Sequence, residues 1–494
     1  MAELLSSIGP GSAVLCVEAD PALERMAREA MPPELAADRR LAFPSAATVE
    51  AALEAARALG SFRSCALSAL SGGESLNAPL YRSMAAALSA EFEAAWRNRA
   101  ALMILGERWA RNIFDNAASL PEIAPAPLPR FPGPAAVCGA GPSLEAALGL
   151  LQRASSRGEL SIIACDTALE TLLSAGIKPD LAVCLEAQAH NLPDFTCLGS
   201  RPISLVADIS SHPATFRAAR GPKHLTAVRI TRSPFMSRMA AALREGGAAA
   251  LEAPPLGSVG VHACHLARSA STGSLFACGL DFSFPAGKTH ARGCPALTAE
   301  ERSQTRLRRW PRQYESSFRD RALRLPGGLV SDPILLSYAR LLSDIALRDR
   351  EAGPESPALY DLRGGGPAIG ARALSLAEAE ILISREAASA RSQSPSPAAE
   401  MDERAAFDPS RAAAAIGAFI QGEIGMLERL RASMRGSHLL GKDEFLSLLR
   451  DLDYLWWSFP DQDRLGELPQ DLTNRLVPRV EFWLERLSSL RARA

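Results

Sequence analysis

The sequence predicts an α/β protein built on a doubly wound, mostly parallel central sheet, with a small α/β domain before it and an all-α domain after it. Three observations carry this. Residues 135–284 alternate short, continuous apolar runs with helical patterns, as strands buried on both faces require. Two of these runs end in glycine turns, VCGAGPSLE at 137–145 and LFACGLDFSF at 275–284. Residues 404–494 carry three apolar stripes at three- and four-residue spacing, the period of helices.

With 494 residues the chain is long enough for several cores, and composition shifts place domains at 1–120, 121–390 and 404–494. The formal net charge of −1 gives no global basic field and argues against nucleic acid as a partner. No apolar run is long enough for a bilayer, and MAELLSSIGPG lacks a signal-peptide pattern, so the expectation is a cytoplasmic protein without membrane insertion. None of the nine cysteines belongs to a CxxC pair or zinc-type spacing. Cys16, Cys138, Cys165, Cys184 and Cys278 sit in apolar runs and read as buried hydrophobes. His262 and His265 are three apart on a helix pattern with no acidic or thiol partner at ligand spacing, so packing or capping is expected and no metal site.

In chain order, Ala13–Asp20 reads as a strand, PALERMAREAM and VEAALEAARALG as helices, and SCALSAL as a further strand. From Leu80 to Ile113 there is no proline, and Leu80, Met84, Leu88, Phe92, Trp96, Leu102, Leu105 and Trp109 recur at mostly helical steps. PEIAPAPLPRFPGP then breaks the helix as a linker. Strands are expected at Ala135–Cys138, Leu160–Ala164, Leu181–Leu185, Ile203–Ala207, Leu225–Ile230 and Ser274–Cys278. Helices are expected at Ser143–Arg157, Ala168–Ala175, Ser237–Glu245 and Val259–Ala270. Residues 295–350 read as helical and arginine-rich, LYDLRGGGPAIGA as a late strand and turn, and 390–403 as a flexible Ser/Pro-rich segment.

Gly139, Gly141, Pro142 and Ser143 follow the strand ending at Cys138. A glycine turn there lets backbone approach a ligand, and a helix N-terminus beyond it favours phosphate; a plain turn with an N-cap has the same appearance. Asp166, Thr167, Glu186 and Asn191 fall at or just beyond the carboxyl ends of the second and third strands, where ligands bind in such sheets. Gly257 and Ser258 open another helix, Asp281 ends the last strand, and His290 follows a Pro-Ala-Gly-Lys turn.

Three blocks in order, GAGPSLEAAL, IIACDTALETLLSAGIKPDLAVCLEAQAHN and GSVGVHACHLA…LFACGLDFSFPAGKTHARG, resemble the motility-associated-factor (Maf) flagellin glycosyltransferases, whose core is also termed MptE-like or 6-hydroxymethylpterin pyrophosphokinase-like. The resemblance covers about residues 120–375. It implies a Rossmann-like core similar to bacterial sialyltransferases, and transfer of a nonulosonic acid of the pseudaminic or legionaminic type from a CMP-sugar to Ser or Thr of flagellin. It implies no cofactor beyond that donor and leaves magnesium and the oligomeric state open. Under it, Gly139, Gly141, Pro142 and Ser143 would cradle the nucleotide, with Asp166 and Thr167 on the base or ribose side. Gly257 and Ser258 would face phosphate or sugar carboxylate. Asp281 would lie at the crevice centre and His290 near the acceptor as a base, the two forming the catalytic pair, with Asp281 positioning the donor sugar or orienting the histidine. Two departures stand out: Glu186 where aspartate is usual, and Ser283-Phe284 where a tyrosine is common, leaving Ser283 or Tyr314 to replace the phenol.

Such chemistry passes through an oxocarbenium-like state. It needs alignment of donor and hydroxyl, charge stabilisation on the leaving phosphate and removal of one proton. A histidine suits the last, a role typically worth roughly 100- to 10,000-fold. Arg302, Arg306, Arg308, Arg309 and Arg312 recur on an expected helix, either as a solvated face or as an attraction for an acidic donor or flagellin. Two alternatives remain. One is a hydroxymethylpterin pyrophosphokinase using ATP and magnesium held by Asp166, Asp180, Glu186 or Asp281; the other is a non-catalytic flagellin-binding factor.

Overall fold

The computed structural model describes all residues except 1, 10–11, 60–65, 67, 69–72, 231–232, 308–314, 316, 352–357, 394–406, 437–439, 461, 463–469 and 493–494. Most of the SCALSAL run, Arg308, Arg309, Arg312, Tyr314 and most of the Ser/Pro-rich segment therefore lie outside the described residues.

The chain forms two compact units, one of residues 1–106 with 457–460 and one of 107–456 with 461–494. In the first, Val14–Leu15 pairs in parallel with Leu41–Ala42. The helix Pro21–Glu29 starts on Asp20, whose carboxylate accepts from the Ala22 N–H at 2.8 Å. Val49–Leu59 buries Ala51, Ala52 and Ala56. The proline-free stretch is a single helix, α1, Ala78–Ala118, which enters the second unit at Glu107.

Among the described residues, the second unit is organised by nine parallel strands. In chain order they are β1 (Ala135–Cys138), β2 (Ser161–Cys165), β3 (Leu181–Cys184), β4 (Ser204–Asp208), β5 (Lys223–Val228), β6 (Ala250–Ala253), β7 (Leu275–Cys278), β8 (Leu359–Asp361) and β9 (Arg372–Ala373). Their spatial order is β9-β8-β7-β1-β2-β3-β4-β5-β6, every pairing parallel. Strands β1, β3 and β7 are buried at every position, which is why they read as unbroken apolar runs. The β6 segment ALEA is mostly half-exposed at the sheet edge, and this weak pattern hid it from the sequence reading. Around the sheet lie α2 (Leu144–Ser156), α3 (Pro234–Glu245), α4 (Val259–Ala270), α5 (Pro333–Glu351) and α6 (Leu376–Gln393). One core joins Val137, Ile163, Val183 and Ala277 of the sheet to Val261, Leu266, Leu342 and Ile345 of α4 and α5.

Two features depart from the sequence reading. Residues 295–350 are not helical throughout: the helix Pro295–Arg302 ends early, and Leu323–Leu325, Leu329–Ser331 and Phe284–Pro285 form a small antiparallel sheet. The expected arginine helix therefore ends at Arg302, before Arg306. The C-terminal helices α7 (Pro409–Met434), α8 (Lys442–Asp451) and α9 (Gln470–Arg491) belong to the same compact unit as the sheet. Their apolar stripes meet it through an aromatic cluster: Phe114 of α1 lies 5.0 Å from Phe235 of α3 and 5.2 Å from Trp483 of α9, and Phe235 lies 4.8 Å from Tyr454. No helix among the described residues is long and apolar enough to cross a membrane.

Candidate active site

The chain leaves β1 toward β2 on one side, and β7 returns on the other, so the sheet reverses between β1 and β7. In open parallel sheets a crevice opens at the carboxyl ends of the strands at such a point. Both glycine turns lie there. The Gly139 N–H donates to the Cys278 carbonyl and the Gly141 N–H to the Gly279 carbonyl, both at 2.8 Å. A Cβ on Gly139 would stand 2.5 Å from the Gly279 oxygen, and one on Gly279, whose φ is +63°, 2.3 Å from the Gly139 oxygen. Glycine is required here because two loops press together backbone to backbone.

Asp281 closes this junction. Its Oδ2 accepts from the Ser143 N–H at 2.9 Å, and its Oδ1 accepts from the Ser143 hydroxyl. A Cβ on Gly141 would meet the Asp281 carboxyl carbon at 2.6 Å. Burial pushes the Asp281 carboxyl up, and the Ser143 hydrogen bonds and the charge of Arg363 oppose that shift. The start of α2 is thus met by a carboxylate of the chain itself. The next N–H groups are committed too: Leu144 to the Gly141 carbonyl, Glu145 to Pro142 and Ala146 to Ser143. Directly after Asp281, Phe282 is buried with φ +48°, a left-handed conformation that non-glycine residues rarely adopt and that collects at functional sites.

The segment 285–294 arches from this junction over the glycine turn. Lys288 Nζ pairs with Glu145 Oε2 at 2.8 Å, the Arg292 N–H donates to Glu145 Oε1 at 2.8 Å, and the Ala291 N–H donates to the Ala140 carbonyl at 2.8 Å. His290 is therefore held one residue from an anchor on the turn. It is half-buried, with Nδ1 3.0 Å from the Thr289 hydroxyl and no hydrogen bond at Nε2 among the described residues. Burial pushes its pKa down, opposed by the charge of Glu300. Asp281 spends both oxygens on Ser143 rather than on this ring.

On the far side of the arch, Asp166 is buried, accepting from the Thr167 N–H at 2.9 Å and from Asn191 Nδ2 at 2.6 Å. Asp194, which the sequence reading passed over, is buried in the turn helix Ala189–Leu198; burial first, then the Asp166 and Glu170 charges, push its pKa up to about 7. Glu186 accepts from the Gln188 N–H at 2.9 Å. Asp180 lies at the opposite, amino ends of the strands, accepting from the Ile162 N–H at 2.8 Å at the start of β2. The N-terminus of α4 differs from that of α2. Gly257 has φ +68°, Ser258 makes no side-chain cap, and the Val259, Gly260 and Val261 N–H groups donate to nothing among the described residues.

A pocket of ≈ 800 Å³ opens beside the junction. Pro142, Ser143, Asp281, Ser283 and Lys288 form one side; the small antiparallel sheet supplies Pro285, Leu325 and Leu329, and Arg363 with Gly364–Gly366 completes it. His290 lies outside this lining. The sequence reading passed over Arg363 and the glycines because they stand in what reads as an ordinary turn. It also passed over Asn112 and Asn116 on α1. Asn112 donates to the Ala187 and Ser210 carbonyls (3.0 and 2.8 Å) and Asn116 to those of Ile209 and Ser211 (2.7 and 2.8 Å). Together they clamp the loops at the carboxyl ends of β3 and β4, Asn112 reaching both and Asn116 the second; an asparagine within a long helix pattern carries no sign of this.

Residues 108–287 match the family of MptE-like 6-hydroxymethylpterin diphosphokinases. A protein of Treponema pallidum (strain Nichols), described as uncharacterized, is 29% identical over 422 residues, spanning 80% of this chain and 69% of its own. Among solved structures, a Maf glycosyltransferase from Magnetospirillum magneticum AMB-1 superposes with a TM-score of 0.56 at 14% identity, covering 97% of this chain and 76% of that one.

Proposed function

We propose, from the premise that this chain carries an MptE-like domain and has the fold of a Maf glycosyltransferase, that it is a glycosyltransferase. On this reading it moves a nonulosonic acid of the pseudaminic or legionaminic type from a CMP-sugar to Ser or Thr of flagellin, inside the cytoplasm and in the service of motility. The observation that carries the reading is the meeting of the Gly139–Ser143 turn and the Gly279–Asp281 strand end at the reversal of the sheet, beside a pocket of ≈ 800 Å³. Pockets of roughly 300–1,000 Å³ suit ligands of nucleotide-sugar size.

In the proposed reaction the anomeric carbon–phosphate oxygen bond breaks and CMP leaves with the electron pair. The acceptor oxygen bonds the same carbon, and its proton passes to His290 Nε2. Burial favours the neutral ring, and Nε2 is the accepting nitrogen in the tautomer that carries its proton on Nδ1, beside the Thr289 hydroxyl. Gly257 and Ser258, at the start of α4, are the proposed partners of a second anionic group of the donor, phosphate or sugar carboxylate. Asp281 holds the Ser143 turn in place, so its part is positioning. Ser283 lines the pocket where a phenol is common in similar enzymes, and its hydroxyl donates to the Asp281 carbonyl at 3.1 Å.

Intact-mass measurement of flagellin incubated with enzyme and CMP-sugar tests this reading. His290→Ala is expected to keep the fold and CMP binding and to lose transfer by at least about 100-fold; transfer at a near-normal rate would place the base elsewhere. CMP should raise the melting temperature equally in EDTA and in magnesium. The four carboxylates of the pyrophosphokinase reading do not come together: Asp180 is at the opposite ends of the strands from Asp166 and Glu186, and Asp281 is committed to Ser143. Stabilisation by ATP only in the presence of magnesium would nevertheless restore it.

A further inference from the structure

The N–H groups at the start of α2 are consumed by Asp281 and by the turn itself, so an anion entering the ≈ 800 Å³ pocket must find its donors elsewhere on the lining. Arg363 is not free either. Its Nε and Nη2 hold Asp361 at 2.9 and 2.6 Å, Nη2 also reaches the Pro367 carbonyl at 2.9 Å, and Nη1 reaches the carbonyls of Leu280 and Asp281 at 3.1 and 3.4 Å. These bonds tie the following loop to the strand end that carries Asp281. In that loop the N–H groups of Gly364, Gly365 and Gly366 donate to nothing among the described residues. Their backbone alternates: φ is +74° at Gly364 and +95° at Gly366, and Gly365 between them is outside the left-handed region. Successive unpaired N–H groups on a glycine loop are the donor set that backbone anion sites use.

The three glycines have different reasons to be glycine. Gly366 needs its positive φ, and a Cβ there would stand 2.9 Å from the Asp281 oxygen and 3.0 Å from the Ser283 hydroxyl. Gly364 needs its positive φ alone. Gly365 has neither constraint, since a Cβ on it would point into open space. Nothing in the fold calls for glycine there, and its backbone stands open toward the pocket it lines. Lys288 lines the same pocket, with one ion pair to Glu145 and further N–H donors to offer.

We propose that the Gly364–Gly366 loop, with Lys288, is the oxyanion receptor of this pocket and takes an anionic group of the donor, either its sugar carboxylate or its phosphate. The assignment deepens the glycosyltransferase reading and rests on it for the identity of the donor. The test titrates CMP, CMP-N-acetylneuraminic acid and inorganic pyrophosphate by calorimetry into the full chain, as wild type, Gly365→Ala and Lys288→Gln. Gly365→Ala is expected to melt no lower than wild type, because its backbone is unstrained, and to lose about tenfold in affinity, as befits charge-assisted bonds. Lys288→Gln leaves the loop backbone untouched and is expected to weaken the same probes. Weakening of CMP and CMP-sugar alike assigns the phosphate to the loop; weakening of the CMP-sugar alone assigns the carboxylate. Unchanged affinity in both variants for every probe the wild type binds overturns the proposal. If the wild type binds pyrophosphate through Gly365 but neither cytidine ligand, the loop stands and the glycosyltransferase reading falls. If it binds none of the three, both fall.

Discussion

His262 is fully buried on α4 with neither ring nitrogen hydrogen-bonded among the described residues, and burial pushes its pKa down to about 4. An unfolded histidine takes up its proton near pH 6.5. Between that value and about 4 the unfolded chain binds a proton that the folded chain refuses, so stability is lost as pH falls through this window. His262→Leu should remove the loss: urea denaturation at pH 5 and pH 8 should show the variant gaining about 2 kcal/mol on wild type toward the acid side. An identical difference at both pH values would rule this out. Glu423 on α7 works in the opposite sense. It is buried beside Arg238, whose Nε donates to it at 2.9 Å, and Tyr454 and Asp453 lie near it. Burial pushes its carboxyl up to about 7. The folded state keeps this proton above the ordinary carboxylate range, so stability falls as pH rises toward 7. Glu423→Gln should gain on wild type by up to about 3 kcal/mol between pH 5 and pH 8 in the same titration. At this scale the sequence was partly legible. Packing was the expected role of His262, and its burial agrees. Glu423 gave no sign, because a glutamate on a helix reads as solvent-facing until the helix that covers it is known.

Among the elements, the β1 and β7 turns depend on each other more than on anything in their own segments. Gly279→Ala would force a side chain at φ +63° against the Gly139 oxygen, and there is no flexible group to yield. A loss of about 2–4 kcal/mol is expected from thermal unfolding, with a similar loss for Gly141→Ala, whose Cβ would strike the Asp281 carboxyl. Near-native melting of Gly279→Ala would show that the junction can open. The strands that build this junction were legible because they are buried on both faces and so unbroken in apolarity. The turns were legible as glycine turns, but their partners were not: pairing of β1 with β7 crosses more than a hundred intervening residues, and no local pattern encodes it. The same holds for the antiparallel sheet at 284–331, whose Leu323–Leu325 strand is mostly exposed and so shows no buried face. The Gly364–Gly366 loop is likewise silent in sequence, since its meaning lies in the Arg363 bonds that carry it to Asp281.

For the second unit as a whole, the C-terminal helices decide what can be removed. Their three stripes were legible, and they correspond to buried Ile416, Ile420, Ile424 and Leu427 on α7, Leu448 and Leu449 on α8, and Leu476, Val480 and Trp483 on α9. What they cover was not legible. Phe114 and Phe235 have no exposed surface, and their ring neighbours include Phe419, Tyr454 and Trp483. The Phe235 N–H at the start of α3 donates to Asp453 at 3.1 Å, and Arg486 of α9 pairs with Asp115 of α1 at 2.5 Å. Asn112 and Asn116, on the same turns of α1 as Phe114 and Asp115, hold the loops that follow β3 and β4. Deleting residues 404–494 would therefore bare two phenylalanines, leave the start of α3 without its acceptor and loosen the helix that clamps the crevice loops. Burial of an aromatic side chain is worth about 1.5–3 kcal/mol, so baring Phe114 and Phe235 forfeits about 3–6 kcal/mol, a large share of the about 5–15 kcal/mol that holds a marginally stable domain. The truncated chain is expected to bind the hydrophobic dye ANS, to melt without cooperativity and to lose CMP binding together with its fold. A monodisperse 1–403 fragment that melts cooperatively and binds CMP as the full chain does would show that the sheet is complete without the helices.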